Sequence, residues 1–106
     1  MSGAEAAERF PLARRVRGYF DPLLAAHAER LEELAADGPL VVHIEDPPAP
    51  LLPALSRGQL VSGLAAAGAV VLPGQGEVPE TAVDERASDE KRRSELIERV
   101  HGRHAG

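Results

Sequence analysis

Cysteine is absent from the chain. Disulfide staples, thiolate metal sites and a cysteine nucleophile are excluded with it. Tryptophan is absent too, and one tyrosine and two phenylalanines are the only aromatic residues of those types. Any core must therefore be thin and aliphatic, drawn mainly from 13 Leu, 9 Val and 2 Ile. Positive charge is in deficit: 12 Lys and Arg face 17 Asp and Glu, for a net charge of −5, and Lys91 is the sole lysine. That balance argues against a general nucleic-acid-binding surface. No apolar run approaches the roughly 20 residues of a membrane helix, so no membrane partner is expected. The opening MSGAEAAERF lacks the basic start and apolar stretch of a secretory signal, and the expected location is cytoplasmic. What is present is 106 residues, 43% hydrophobic. That is the size of one small domain and too apolar for a wholly disordered chain.

Residues 1–13 read as a loosely ordered lead-in with a short helical turn around 4–9, broken by Pro11. The domain follows over 14–104. In RVRGYF (15–20), Val16, Gly18 and Phe20 alternate with polar residues, the period of a strand. Asp21-Pro22 then suits a helix start, with Asp as N-cap and Pro in the first turn. Over 23–36, Leu24, Ala28, Leu31 and Leu34 share one helical face, with Glu29, Arg30, Glu32 and Glu33 away from it. Asp37-Gly38-Pro39 ends that helix. LVVHI (40–44) is a nearly continuous β-branched run, the pattern of a buried parallel strand. Pro47, Pro48, Pro50 and Pro53 predict a stiff connector. Ser56, with Gln59 in the capping-box position, predicts a second helix to about Ala67 that buries Leu60, Val61 and Leu64. AVVL (69–72) predicts a third strand, closed by Pro73-Gly74. Residues 74–87 have no usable period and read as a mobile loop. A last helix is expected over 88–101, its start favoured by Asp89 and Glu90, with Asp89/Arg93 and Glu95/Arg99 as i,i+4 pairs. Its apolar stripe is narrow: Leu96, Ile97 and Val100.

Strands and helices thus alternate. The pattern predicts an α/β, reduced Rossmann-like three-layer fold, with about three parallel strands and flanking helices. Ligands of such sheets sit at the C-terminal strand ends, facing helix N-termini. Here that place is the stretch from Gly18 to His27. His27 shares the apolar seam of its helix, so it is read either as a packed histidine or as a phosphate donor. Asp21 reads chiefly as an N-cap, and Arg57 as a solvated helix residue before a ligand contact. His43, inside the second strand, is a buried neutral imidazole or the edge of a pocket. His101 and His104 have helical metal spacing, but Gly102 interrupts them and two histidines seldom make a site, so no metal site is expected. Gly74-Gln75-Gly76 lacks the Gly-Lys-Ser/Thr ending of a phosphate loop.

At these residues the chain resembles the cytidylyltransferase-like nucleotidyltransferases, the group that includes glycerol-3-phosphate cytidylyltransferase and the adenylyltransferase of ADP-heptose synthesis. Their Gly-x-Phe-Asp-x-x-His-x-Gly-His signature is matched by Gly18, Phe20, Asp21 and His27, with Leu24 in place of the first His and Ala26 in place of the Gly. Arg57 falls on the family's helix-leading Arg, and Gly68 replaces its Asp. Residues 92–100 resemble the family's hydroxyl-rich last motif, of which Ser94 survives. The resemblance spans about 14–100. It implies a nucleotide site made of Gly18, Phe20, Asp21, His27, Arg57 and Ser94, with His27 catalytic if the domain is active.

The departures remove donors. Leu24 cannot hydrogen-bond a phosphate through its side chain, Ala26 places a methyl group where the family has none, and the family's lysine after the second strand has no counterpart. Losing one preorganised donor costs on the order of 10²–10³ in rate. The expectation is therefore a degenerate domain without catalysis, acting as a binding or assembly module. The alternative is an active nucleotidyltransferase passing AMP or CMP from a nucleoside triphosphate, with Mg²⁺, to a phosphorylated sugar or alcohol. The family's further strands also have no room between Leu72 and Ser88. The first strand is then expected at a sheet edge, guarded by Arg14, Arg15 and Arg17, with the lead-in, the last helix or a second subunit as its cover, and a homodimer at this side is the hypothesis.

Overall fold

The computed structural model describes the backbone of residues 2–105 and the side chains of residues 2–99. Four strands form one all-parallel sheet: β1 (Arg15–Gly18), β2 (Leu40–Ile44), β3 (Ala67–Val71) and β4 (Val83–Asp84), in the spatial order β3-β2-β1-β4. The helices are α1 (Gly3–Arg9), α2 (Ala25–Leu34), α3 (Ala54–Ser62) and α4 (Arg86–Ala105). This is the expected α/β, Rossmann-like three-layer fold with one strand more than expected.

Each sheet face is covered by helix, which is why β2 reads as an unbroken apolar run and is buried at all five positions. Side chains alternate across it. Leu40, Val42 and Ile44 join Val16 and Phe20 against Leu31 and Leu34 of α2 and Val61 of α3. Val41 faces the other way, with Ala69 and Val71, against Ala6 of α1. Residues read as a loose lead-in therefore supply the third layer. Ser2 caps α1 by accepting from the Glu5 N–H at 3.2 Å, and the Gly3 N–H donates to the Gln75 carbonyl at 2.7 Å. Glycine is needed at that crossing, because a Cβ on Gly3 would lie 2.8 Å from the Gly76 Cα.

The segment read as a mobile loop contains β4, which pairs with β1 through Val16↔Val83 and Arg17↔Asp84. β1 is thus an interior strand and not the open edge expected for it. Two residues are too few for a period to register in the sequence. The edge on this side is β4, short and charged as protected edges usually are. Arg86 hydrogen-bonds Asp84 at 2.7 and 2.9 Å and holds that carboxyl down to about 2.

Element boundaries also move. β1 stops at Gly18 because Phe20 adopts φ 49°, outside the strand region. α2 begins at Ala25 with Leu24 as N-cap, so Asp21 does not cap it. α3 begins at Ala54 behind Pro53, whose carbonyl accepts from the Arg57 N–H at 3.1 Å, so Ser56 is not its cap. α4 starts two residues before the expected Ser88.

His43 sits in β2 at 1% exposure, on the α1 side of the sheet. Arg15 Nη1 lies 2.9 Å from its Nε2. A guanidinium only donates, so Nε2 accepts and the ring proton is on Nδ1, which has no hydrogen-bond partner. Burial first, then the Arg15 charge, push the His43 pKa below its usual value. The unfolded chain therefore takes up this proton at a higher pH than the fold does. Stability from the neutral ring is complete above about pH 6.5 and is lost as pH falls below it. Urea midpoints measured from pH 7.5 down to 5 are expected to fall more steeply for the natural chain than for His43→Gln, which keeps an acceptor for Arg15 and cannot titrate. Parallel curves would contradict the assignment.

Candidate functional site

In sheets of this kind the ligand crevice opens above the C-terminal strand ends where the strand order reverses. That point is the gap between β1 and β4. The structure gathers five of the six expected residues there or beside it: Gly18, Phe20, Asp21, His27 and Arg57. Ser94 is exposed on α4 and shares no hydrogen bond with them among the described residues.

His27 is 3% exposed in the first turn of α2. Its Nδ1 accepts from the Leu24 N–H at 2.9 Å, half of a capping box, since Leu24 has no side-chain acceptor to reciprocate. The ring proton is therefore on Nε2. That nitrogen lies 2.6 Å from Asp89 Oδ1, close but without an aligned hydrogen bond. Phe20 packs edge-on against the imidazole, with ring centroids 5.6 Å apart.

Asp89 belongs to α4 and is 2% exposed. Its Oδ2 accepts from the Tyr19 N–H at 2.8 Å, and Arg92 Nη1 approaches Oδ1 at 3.6 Å. The carboxylate thus occupies the donors at the end of β1. A Cβ on Gly18 would meet Asp89 Oδ2 at 2.5 Å and the Phe20 ring at 2.9 Å, so glycine here makes room for the side chain from α4. Among Phe20, His27, Arg30, Leu31, Glu85, Asp89 and Arg92 no water-sized space remains. Sequence reading gave Asp89 only a helix-dipole role and an Arg93 partner. In the structure Asp89 turns to His27 and Tyr19, and Arg93 donates to the Ala49 carbonyl at 2.6 Å and lies 3.8 Å from Asp21. The available signal was the spacing of Glu85 and Asp89, one helical turn apart at the start of the last helix; both are buried.

Arg57 is not the solvated residue the sequence suggested: it is 1% exposed. Its Nε donates to the Leu52 carbonyl at 3.0 Å, and its Nη1 to the Tyr19 and Glu45 carbonyls at 3.0 and 2.7 Å. Its Nη2 pairs with Asp46. One guanidinium therefore ties the ends of β1 and β2 to the turn before α3. Asp21 works beside it, accepting from the Leu51 and Leu52 N–H groups at 2.6 and 2.8 Å. Arg17 and Glu45 close the rim with a two-pronged ion pair at 2.6 and 2.7 Å, which raises the Arg17 pKa.

Comparison with known proteins finds no matching family model, curated protein or solved structure.

Open space lies elsewhere. A cleft of about 270 Å³ beside β2 and β3 is walled by Glu45, Asp46, Leu72 and Pro73. A larger hollow, about 590 Å³, is at the opposite pole, between Phe10, Leu12, Arg14 and Pro39. Among the described residues no three His, Asp or Glu side chains could hold a metal ion; the side chains of His101 and His104 lie outside them.

Two substitutions test this geometry. Arg57→Lys keeps the charge but cannot serve four acceptors, and is expected to cost about 2–4 kcal/mol in urea unfolding. Gly18→Ala forces Asp89 or Phe20 to move and is expected to cost about 1–3 kcal/mol. Losses below half a kcal/mol in both would mean that these contacts do not hold the fold.

Proposed function

We propose that the chain is a degenerate nucleotidyltransferase-like domain without catalysis, serving as a binding or assembly module. The observation that carries this reading is the Asp89 carboxylate, seated on the Tyr19 N–H and against His27 Nε2. A nucleotide phosphate at this place would have to displace that carboxylate. A triphosphate would also bring more negative charge than the carboxylate it replaces, beside Asp21, Glu45 and Asp46. Arg57, the cation best placed by sequence to answer a phosphate, spends its donors on three carbonyls and Asp46. Ser94 faces water.

A homodimer through β1 loses its ground, since β4 takes that edge. Self-association would instead use the leucines left about half-exposed on and before α3: Leu51, Leu55 and Leu60. Sedimentation over a range of concentrations tests it, and a constant monomer mass removes the dimer.

Calorimetry with ATP or CTP and Mg²⁺ is expected to give no binding heat. Tight binding that disappears in His27→Ala would overturn the reading in favour of AMP or CMP transfer to a phosphorylated sugar or alcohol.

A further inference from the structure

Buried polar atoms almost always find hydrogen-bond partners, and each exception costs about 1–3 kcal/mol. Among the described residues, His27 Nε2, Asp89 Oδ1, Arg92 Nη1 and Arg93 Nε are buried without an aligned one, although Asp89 Oδ1 lies 2.6 Å from His27 Nε2 and 3.6 Å from Arg92 Nη1, and Arg93 Nε lies 3.8 Å from Asp21. All four lie on the seam between α4 and the body. Among the described residues neither core cluster contains a residue of α4, and its apolar side chains Leu96 and Ile97 are only part-buried. The contacts of its first turns are polar. Asp89 engages Tyr19 and His27, Arg93 donates to Ala49, and Glu85, just before the helix, pairs with Arg30 at 2.9 Å. At 20 residues α4 is about 30 Å long, and the molecule measures 52 × 27 × 24 Å.

We propose that α4 is a displaceable latch and Asp89 the resident oxyanion of a ligand site. An external oxyanion group, phosphate or carboxylate, takes the Tyr19 N–H and the His27 Nε2–H, and α4 leaves with Asp89. One anion replaces another, so the local charge changes little and Asp21 and Glu85 do not forbid the exchange. The backbone amide and the neutral imidazole both donate, as an oxyanion requires. Tethering gives Asp89 an effective concentration of about millimolar or more. The competitor must therefore be abundant or part of a larger ligand. This deepens the reading of a site closed in the resting chain. It also fails separately, because that reading concerns nucleotide binding by the natural chain and this inference concerns what Asp89 conceals.

The test uses the full chain with Asp89→Ala, in phosphate, acetate or chloride at equal ionic strength. The variant is expected to show a saturable rise in Tm with phosphate or acetate and none with chloride. Which of the two acts tells whether a phosphoryl or a carboxylate group is preferred. Adding His27→Leu should weaken that binding by about tenfold or more. No oxyanion-specific rise, or a rise indifferent to His27→Leu, overturns the proposal. Should Asp89→Ala not fold in chloride, recovery of its helical circular dichroism in phosphate or acetate supports the site, and no recovery overturns it. In the natural chain, phosphate must also speed amide exchange in the first turns of α4 relative to chloride. Unchanged exchange overturns the latch even where Asp89→Ala binds.

Discussion

A carboxylate withdrawn from water has to be met by donors, and Asp89 organises the upper end of this domain by that need. Burying an ion costs several kcal/mol unless hydrogen bonds and opposite charge answer it. Here the answer is the Tyr19 amide at 2.8 Å, the His27 ring at 2.6 Å and, at longer range, Arg92. Each of these fixes something else. The Tyr19 amide is reachable because residue 18 has no side chain to block it. His27 offers Nε2–H because its Nδ1 is committed to the Leu24 amide. The start of α2, the end of β1 and the position of α4 are thus one coupled arrangement rather than three.

A second network carries the load that the aromatic-poor core cannot. Arg57 and Asp21 have opposite charges and never meet directly. They work through backbone: Asp21 accepts from the Leu51 and Leu52 amides, and Arg57 donates to the Leu52 carbonyl and to those of Tyr19 and Glu45. The stiff, proline-rich connector between β2 and α3 has few hydrogen bonds of its own to give, so side chains anchor it. Hydrogen bonds to charged groups are worth about 1.5–3 kcal/mol each, more than neutral ones. In a small domain that is a large share of total stability.

How far the sequence could be read follows from these interactions. The parallel α/β layering was legible because β2 and the helix faces carry strong local periods: LVVHI is buried throughout, and Leu31 and Leu34 lie where their spacing put them. β4 was not legible, because two residues have no period and their pairing is decided by β1. Nor was α1's role as a third layer, which rests on Ala6 and on the Gly3–Gly76 crossing rather than on a conspicuous stripe. At the site, the strand-to-helix position and the family resemblance mark His27 and Gly18, but the helix-based readings of Asp21 and Arg57 do not hold. Both were judged by where such residues usually sit on a helix, whereas their partners are backbone groups 30 and 38 residues distant. Asp89 was hidden inside a charged run that reads as solvated.

The same atoms bear on function and on stability, and this limits what either can become. A pocket that receives anions must keep donors unpaired, and unpaired buried donors weaken a fold. Seating Asp89 on the Tyr19 amide removes part of that weakness. It does so incompletely: His27 Nε2 and Asp89 Oδ1 meet without alignment, and Arg92 Nη1 and Arg93 Nε reach their carboxylates only at 3.6 and 3.8 Å. A contact selected for stability alone has a cheaper solution available, since an apolar side chain on α4 could cover the imidazole and no charge would need burial. A polar seam on a helix whose described residues join neither apolar core is better explained by a contact that has to open than by one that only has to hold.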